Sequence, residues 1–247
     1  MSDQTHFGFE KIPLRDKQKK VDGVFNSVAN RYDLMNDLLS LGTHRLWKKK
    51  AIENAQLKPG HTVLDLAGGT GDMAALIAPK VGKTGHIMLA DINNAMLTLG
   101  RSRLINKGLF KNVTFIQANG EQLPFNNNAF DRITLAFGIR NFPDKAKALA
   151  DLYRILKPGG ILIILEFTTP TLPGFTQLYD TYSFKVLPFI GQIVTQDAAS
   201  YEYLAQSIRM HPNPEAFKML ITQAGFDQCY FQTLSLGIVA IHYAYKY

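Results

Sequence analysis

A chain of 247 residues, 46% of them hydrophobic, is long enough to bury the core of one α/β domain with an elaborated subdomain. Its one cysteine, Cys229, excludes an internal disulfide framework and fits a reducing cytoplasm, and the histidines show no ligand-like spacing, so no metal is expected. The formal net charge of +7 points to an anionic partner, nucleic acid or lipid headgroups, while a polar N-terminus and the lack of any bilayer-length apolar run argue against a signal peptide and an integral membrane protein.

Positive charge gathers early, in "KIPLRDKQKK" and "HRLWKKK", within what reads as a helical extension over residues 1–55. The first buried strand is set by Val63, Leu64 and Leu66; Gly68, Gly69 and Gly71 then turn the chain into a helix that starts near Asp72. Gly69, Gly71 and Ala74 satisfy the G-x-G-x-x-A dinucleotide pattern, a weak signal alone. Asp91 strengthens it, because it ends the next apolar run twenty residues after Gly71, where a ribose-binding carboxylate is expected. Asp65 and Asp72 flank the loop, and two carboxylates there would repel a pyrophosphate while attracting an ammonium or sulfonium group. S-adenosylmethionine (SAM), which has a ribose, a cationic sulfur and no phosphate, fits better than NAD. The plainer alternative is that the two acids cap and solvate the turn.

Beyond the loop, the pattern predicts a strand at 86–91, a helix over 93–108 stopped by Gly108, and strands at 112–119 and 130–138. A helix follows with Leu149, Leu152, Tyr153 and Leu156 on one face, ended by Lys157, Pro158, Gly159 and Gly160, and then an all-apolar strand at 161–167. From Thr168 to about Pro214 the regular pattern breaks, before a helix at 215–226 and strands at 230–237 and 238–245. The expected architecture is α/β and doubly wound: a mostly parallel seven-stranded, Rossmann-like sheet of the class I SAM-dependent methyltransferase kind, its last strand antiparallel. The extension 1–55 is expected to act as a lid on a SAM-binding domain at 56–247, which carries a substrate cap inserted at about 169–213. Ligands in such sheets bind beyond the carboxyl ends of the strands, where Asp65, Asp91, Asn119 and Gly138 fall.

Three further segments are more specific. "YDLMNDLLSLGTHRLWK" (32–48) resembles the first signature of the UbiE/MenG family of ubiquinone and menaquinone biosynthesis C-methyltransferases, through Tyr32, Asp33, Met35, Asn36, Ser40, His44 and Trp47. "RILKPGGILIILEFT" resembles the second, through Arg154, Lys157, Pro158, Gly159, Gly160 and Glu166; "FGIRN" (137–141) and "SIRMHP" (207–212) are also similar to that family. The resemblance implies SAM contacts from Thr70, Asp91, Asn119 and Gly120, alongside the loop residues Asp65, Gly68, Gly69 and Gly71 and the neighbouring Ile92 and Ala136. Relatives commonly carry a serine where Ala136 stands, so a hydroxyl contact does not carry over.

The resemblance further implies methyl transfer to a ring carbon of a reduced polyprenyl quinone, either demethylmenaquinol or 2-methoxy-6-polyprenyl-1,4-benzoquinol, without a metal. A ring carbon becomes nucleophilic when the neighbouring hydroxyl loses its proton, so the site must stabilise a phenolate. Arg140 is the first choice for that oxygen, against pairing with Asp144, and Asn141 is expected to orient the ring. His44 is a candidate proton acceptor, with helix packing near Trp47 as the alternative. Tyr32 is placed with Asp33 in a lid, and Tyr201 and Arg209 at the substrate entrance, against a surface helix. "FTQLYDTYSFKVLPFIGQIV" is where walls for a prenyl channel are expected, and Lys48, Lys49 and Lys50 are expected to rest on anionic lipid at the inner face of the cytoplasmic membrane. A quinone-biosynthesis complex is a conceivable partner; nucleic acid is not expected. The rival readings are a SAM-dependent RNA methyltransferase, a SAM-binding partner protein without activity, and an NAD-dependent oxidoreductase.

Overall fold

The computed structural model describes residues 4–28, 32–170, 172, 174–195 and 197–247. The chain begins with a hairpin, β1 (Gln4–Phe7) and β2 (Glu10–Pro13), and three helices: α1 (Leu14–Val28), α2 (Tyr32–Ser40) and α3 (His44–Glu53). The central unit then alternates β3 (Thr62–Leu66), α4 (Asp72–Val81), β4 (His86–Asp91), α5 (Asn94–Asn106), β5 (Val113–Gln117), β6 (Phe130–Ala136), α6 (Lys145–Ile155) and β7 (Leu156–Phe167). Helices α7 (Phe175–Thr181), α8 (Leu187–Thr195) and α9 (Ala198–Arg209) follow, then α10 (Pro214–Gln223), β8 (Gln228–Leu234) and β9 (Val239–Lys246).

The seven strands of the large sheet lie in the order β5-β4-β3-β6-β7-β9-β8, and β9 pairs antiparallel with both of its neighbours while the others run parallel. The expected architecture therefore holds, antiparallel last strand included. Alternation along β7 shows why its sequence is apolar throughout. Ile161, Ile163 and Leu165 join a core with Ile77, Leu89 and Trp47, whereas Leu162 and Ile164 join one with Leu149, Leu152, Phe217 and Ile221. Each of these side chains is nearly or fully buried, worth about 1.5–3 kcal/mol apiece.

Local signals set the element ends. Asn93 accepts from the Met96 N–H and starts α5; Gly108, at φ 69°, follows its end. The stretch read as irregular is helical. Its signal is Tyr201, Leu204, Ala205 and Ile208, all buried at helical spacing, behind an Asp197 cap that accepts from the Ser200 N–H. The β1–β2 hairpin, unmarked in the sequence, makes the N-terminal extension only partly helical.

That extension and the insertion close on each other. Phe7 stacks on Tyr203 with ring centroids 4.1 Å apart, the Phe9 N–H donates to Gln206 Oε1, and Ser27 Oγ donates to Asp197 Oδ2 at 2.7 Å. Tyr182 Oη donates to the Leu38 carbonyl, so α2 is tied to the insertion as well. The sheet thus carries a two-part cap over its carboxyl-end edge.

Candidate active site

The strand order reverses between β3 and β6, and the cleft opens there, as expected for a ligand at a topological switch point. Ala67, Gly69, Asp91, Ile92, Ala136, Phe137, Gly138 and Asn141 line its floor, and Gln18, Val21 and Phe25 of α1 form its roof. Ala67 at φ 51° and Phe137 at φ 57° stand at matching places after β3 and β6, a conformation that costs a non-glycine residue energy. The two chain ends approach so closely that a Cβ on Gly138 would fall 2.6 Å from the Ala67 methyl.

Asp91 is held by its own loop. The Gly69 N–H donates to Oδ2 and the Asn93 N–H to Oδ1, both at 2.9 Å, and the residue lines the cleft. Burial raises its pKa to about 6 against those hydrogen bonds. Asn119, Gly120 and Glu121 continue the cleft beside Asp91 and Ile92; a Cβ on Gly120 would fall 2.5 Å from the Phe142 ring, so glycine is what lets that ring approach. Thr70 is buried in the loop, and a Cβ on Gly71, at φ 82°, would press on Leu104 at 3.1 Å. A carboxylate at a strand end, a loop rich in glycine, and apolar walls suit the ribose and adenine of SAM.

The flanking acids behave differently from the charge argument. Register sets Asp65 opposite Thr134, whose Oγ1 donates to Oδ1 at 2.9 Å, while the Ala74 N–H donates to Oδ2 at 3.1 Å. Asp65 is fully buried, with its pKa pushed to about 7 by that burial, and it fixes the start of α4 from behind the loop. A Cβ on Gly68 would collide with its carboxylate at 2.9 Å. Asp72 is neutralised by Lys48 at 2.7 Å and Arg103 at 3.5 Å; although burial opposes it, the Lys48 ammonium holds the carboxyl below its usual range. Neither acid is left as a lure for a sulfonium. Lys48, expected on a lipid-facing surface, is instead buried in this ion pair.

Arg140 stands in the single turn that follows β6 and is buried, but its partner is Glu166 rather than Asp144. Arg140 Nη1 donates to Glu166 Oε1 and to the Phe137 carbonyl, each at 2.6 Å, and the Arg140 N–H donates to Glu166 Oε2. Asp144 caps α6. The guanidinium lies 5.6 Å from the Phe167 ring centroid, and its Nε is buried without a hydrogen-bond partner among the described residues. Asn141 beside it accepts from Tyr203 Oη at 2.9 Å, so a residue of the insertion holds a residue of the cleft floor. Burial pushes the Tyr203 phenol well above its ordinary pKa, so it stays a donor.

Other expected site residues lie elsewhere. His44 starts α3 with Nε2 3.0 Å from Asp37 Oδ1, and no hydrogen bond or ion pair joins it to Arg140 or Asn141 among the described residues. Burial lowers its pKa, which makes it a weak base, and its visible work is to join α2 to α3. Tyr201 is fully buried in the core with its ring against Gly191 of α8, so it packs the insertion and does not line an entrance. Arg209 is paired with Asp180 and lies over the Phe184 ring at 5.9 Å, tying α9 to α7. Tyr32 begins α2, and its side chain, like that of Asp33, lies outside the described residues.

An apolar chamber of about 290 Å³ adjoins the site, walled by Trp47, Phe175, Leu178, Tyr179, Tyr182 and Ile238. Trp47 meets Phe137 and Phe167 edge-on, at 6.4 and 6.0 Å; Phe137 also lines the cleft, and Phe167 carries the Arg140 guanidinium 5.6 Å from its centroid. Four of its walls come from the stretch expected to hold a prenyl channel. Glu166 and Tyr203 were missed as site residues. Glu166 had a signal, a lone acid in an otherwise apolar buried strand; Tyr203 had none, because its contact spans 62 residues.

The chain is 55% identical over 98% of its length to the ubiquinone/menaquinone biosynthesis C-methyltransferase UbiE of Legionella pneumophila, and 55% identical to that of Francisella philomiragia, covering 97% of each relative. Among solved structures, a SAM-dependent methyltransferase from Aquifex aeolicus superposes with a TM-score of 0.59 over 86% of this chain and 96% of its own, at 20% identity, a likeness of fold. The model of the ubiE/COQ5 methyltransferase family matches residues 14–246, and the chain belongs to that family.

Proposed function

We propose that this enzyme transfers the methyl group of SAM to a ring carbon of a reduced polyprenyl quinone, the reaction class that its relatives' names describe. The observation that carries the reading is the buried Arg140, its Nε without a hydrogen-bond partner among the described residues, next in the chain to the cleft-lining Asn141. Asp91 binds the ribose hydroxyls, the loop from Gly68 to Gly71 accepts the amino-acid end, and Ile92, Asn119, Gly120 and Ala136 enclose the base and sugar. SAM supplies the electrophilic methyl carbon.

The other steps belong to protein and quinol. The quinol hydroxyl gives its proton to water before the cap closes, and the resulting oxyanion sits against the Arg140 guanidinium, which is too basic to be the proton acceptor itself. Glu166 fixes that guanidinium on one edge and leaves the Nε edge to the substrate. Asn141, held by Tyr203, orients the ring so that its electron-rich carbon faces the methyl carbon in line with the breaking C–S bond. The carbon–methyl bond forms as the C–S bond breaks, S-adenosylhomocysteine leaves, and transfer of the ring proton to the neighbouring oxygen restores the aromatic quinol. The cap excludes water while opposite charges cancel. The prenyl tail lies in the chamber, and the enzyme works as a peripheral protein at a membrane; among the described residues no helix is long and apolar enough to cross one. A biosynthetic complex is compatible with the exposed cap.

Offering labelled SAM with a reduced short-chain demethylmenaquinol, a methoxy-polyprenyl-benzoquinol or bulk tRNA tests the reading. Label on a quinol ring carbon is expected; label on RNA alone would replace it with the RNA methyltransferase.

A further inference from the structure

Between Phe175 and Thr195 the helical run carries one acid, Asp180, and one base, Lys185. Asp180 is paired with Arg209, while Lys185 is exposed, so no unpaired carboxylate remains along the run. The inner side of α8 is committed: Leu187 is buried, and Gly191 lies so close to the Tyr201 ring that an added Cβ would fall 2.5 Å from it. The outer side is apolar. Val186, Phe189 and Ile193 recur at helical spacing on one face and are 38%, 66% and 66% exposed. Leu178, 66% exposed, stands both on the outside of the run and in the wall of the apolar chamber, whose rim it shares with Leu41, 78% exposed. The chamber therefore opens on this apolar surface.

We propose that this face of α7 and α8 seats the enzyme on a lipid bilayer, with Phe189 and Ile193 in the acyl boundary, Lys185 among anionic headgroups and the chamber mouth at the interface. Resting on the quinol reading above, the arrangement lets a polyprenyl chain pass between bilayer and chamber without crossing water. A second copy of the chain on the same face would cover the mouth and close the chamber to its ligand, which is why the fluid apolar phase is the occupant the geometry favours. The seat also differs from the expected lysine cluster, since Lys48 is spent on Asp72.

Co-sedimentation with vesicles of phosphatidylcholine and phosphatidylglycerol tests the proposal, using the wild type and the double variant Phe189→Asp, Ile193→Asp. The vesicle-bound fraction is expected to fall about ten-fold or more, with SAM affinity and Tm measured alongside as the check on folding. Should the double variant fold poorly, Phe189→Trp replaces it: the emission of the added indole is expected to shift to the blue on vesicle addition and to be quenched by brominated lipid. Undiminished sedimentation of the Asp variant, or emission from the added indole that vesicles leave unmoved, overturns the proposal. So does a vesicle-free dimer that the same substitutions dissociate, which would assign the face to a second copy. Methyl transfer to a short-chain quinol in detergent, assayed separately, fails if the quinol reading is wrong and is indifferent to the bilayer seat.

Discussion

The cofactor side of the cleft and the cap above it are built at different sequence ranges. Asp91 is held by residues 2 and 22 positions away, and Asp65 by Ala74, 9 positions away, and by Thr134 on the adjacent strand, 69 positions away. The cap is assembled from contacts between Ser27 and Asp197, Phe9 and Gln206, and Tyr182 and Leu38, which span 170, 197 and 144 residues. Motif-range bonds give a preorganised binding floor whose strained residues, Ala67 and Phe137, are over-determined by the sheet. Long-range bonds give a cover that meets the floor through Tyr203 and Asn141. On the proposed function, cofactor affinity belongs to the floor and acceptor orientation to the junction.

The junction should be most sensitive at Arg140. Arg140→Lys keeps a cation for Glu166 but loses the planar fork, and kcat for quinol methylation is expected to fall about 100-fold or more with SAM affinity retained, as steady-state kinetics and calorimetry would show. On the floor, Asp91→Ala removes charge-assisted acceptors for the ribose and is expected to weaken SAM binding about 10- to 100-fold, measured by calorimetry. If Arg140→Lys instead lowers SAM affinity as much as Asp91→Ala does, the separation of the two regions fails. Tyr203→Phe removes one neutral hydrogen bond to Asn141, and kcat/KM for quinol should fall about 2- to 10-fold with the Kd for SAM unchanged.

A smaller effect follows from pH. With the Asp91 pKa raised to about 6, the carboxylate that accepts from ribose is lost on acidification, so SAM affinity should decline as pH falls through 6 and level off above 7. Asp91→Asn should flatten that profile. The sign for stability is opposite. Asp65 and Asp91 ionise in the unfolded chain near pH 4 but only near 7 and 6 when folded, so the ligand-free fold loses stability as pH rises from about 4 to 7.

What the sequence made legible follows the same division. The strand positions, the glycine loop and Asp91 rest on periodicity and short spacings, which a single chain displays. The partners of Asp65 and Asp72 are not legible, because charge counts as free until the fold supplies Thr134, Lys48 and Arg103. Tyr201 and Arg209 are expected at a substrate entrance, against a surface helix, but which face each presents is decided by packing against α8 and Asp180. The hairpin was hidden because its four-residue strands bury little and gain their place from Phe7 on Tyr203.

The most direct test of the account is single-turnover transfer of labelled methyl from SAM to reduced demethylmenaquinol by the wild type and by Arg140→Lys, both saturated with SAM. The account predicts label on the ring carbon, formed about 100-fold or more slowly by the variant. Equal rates, or no label from a wild type that binds SAM, would contradict it.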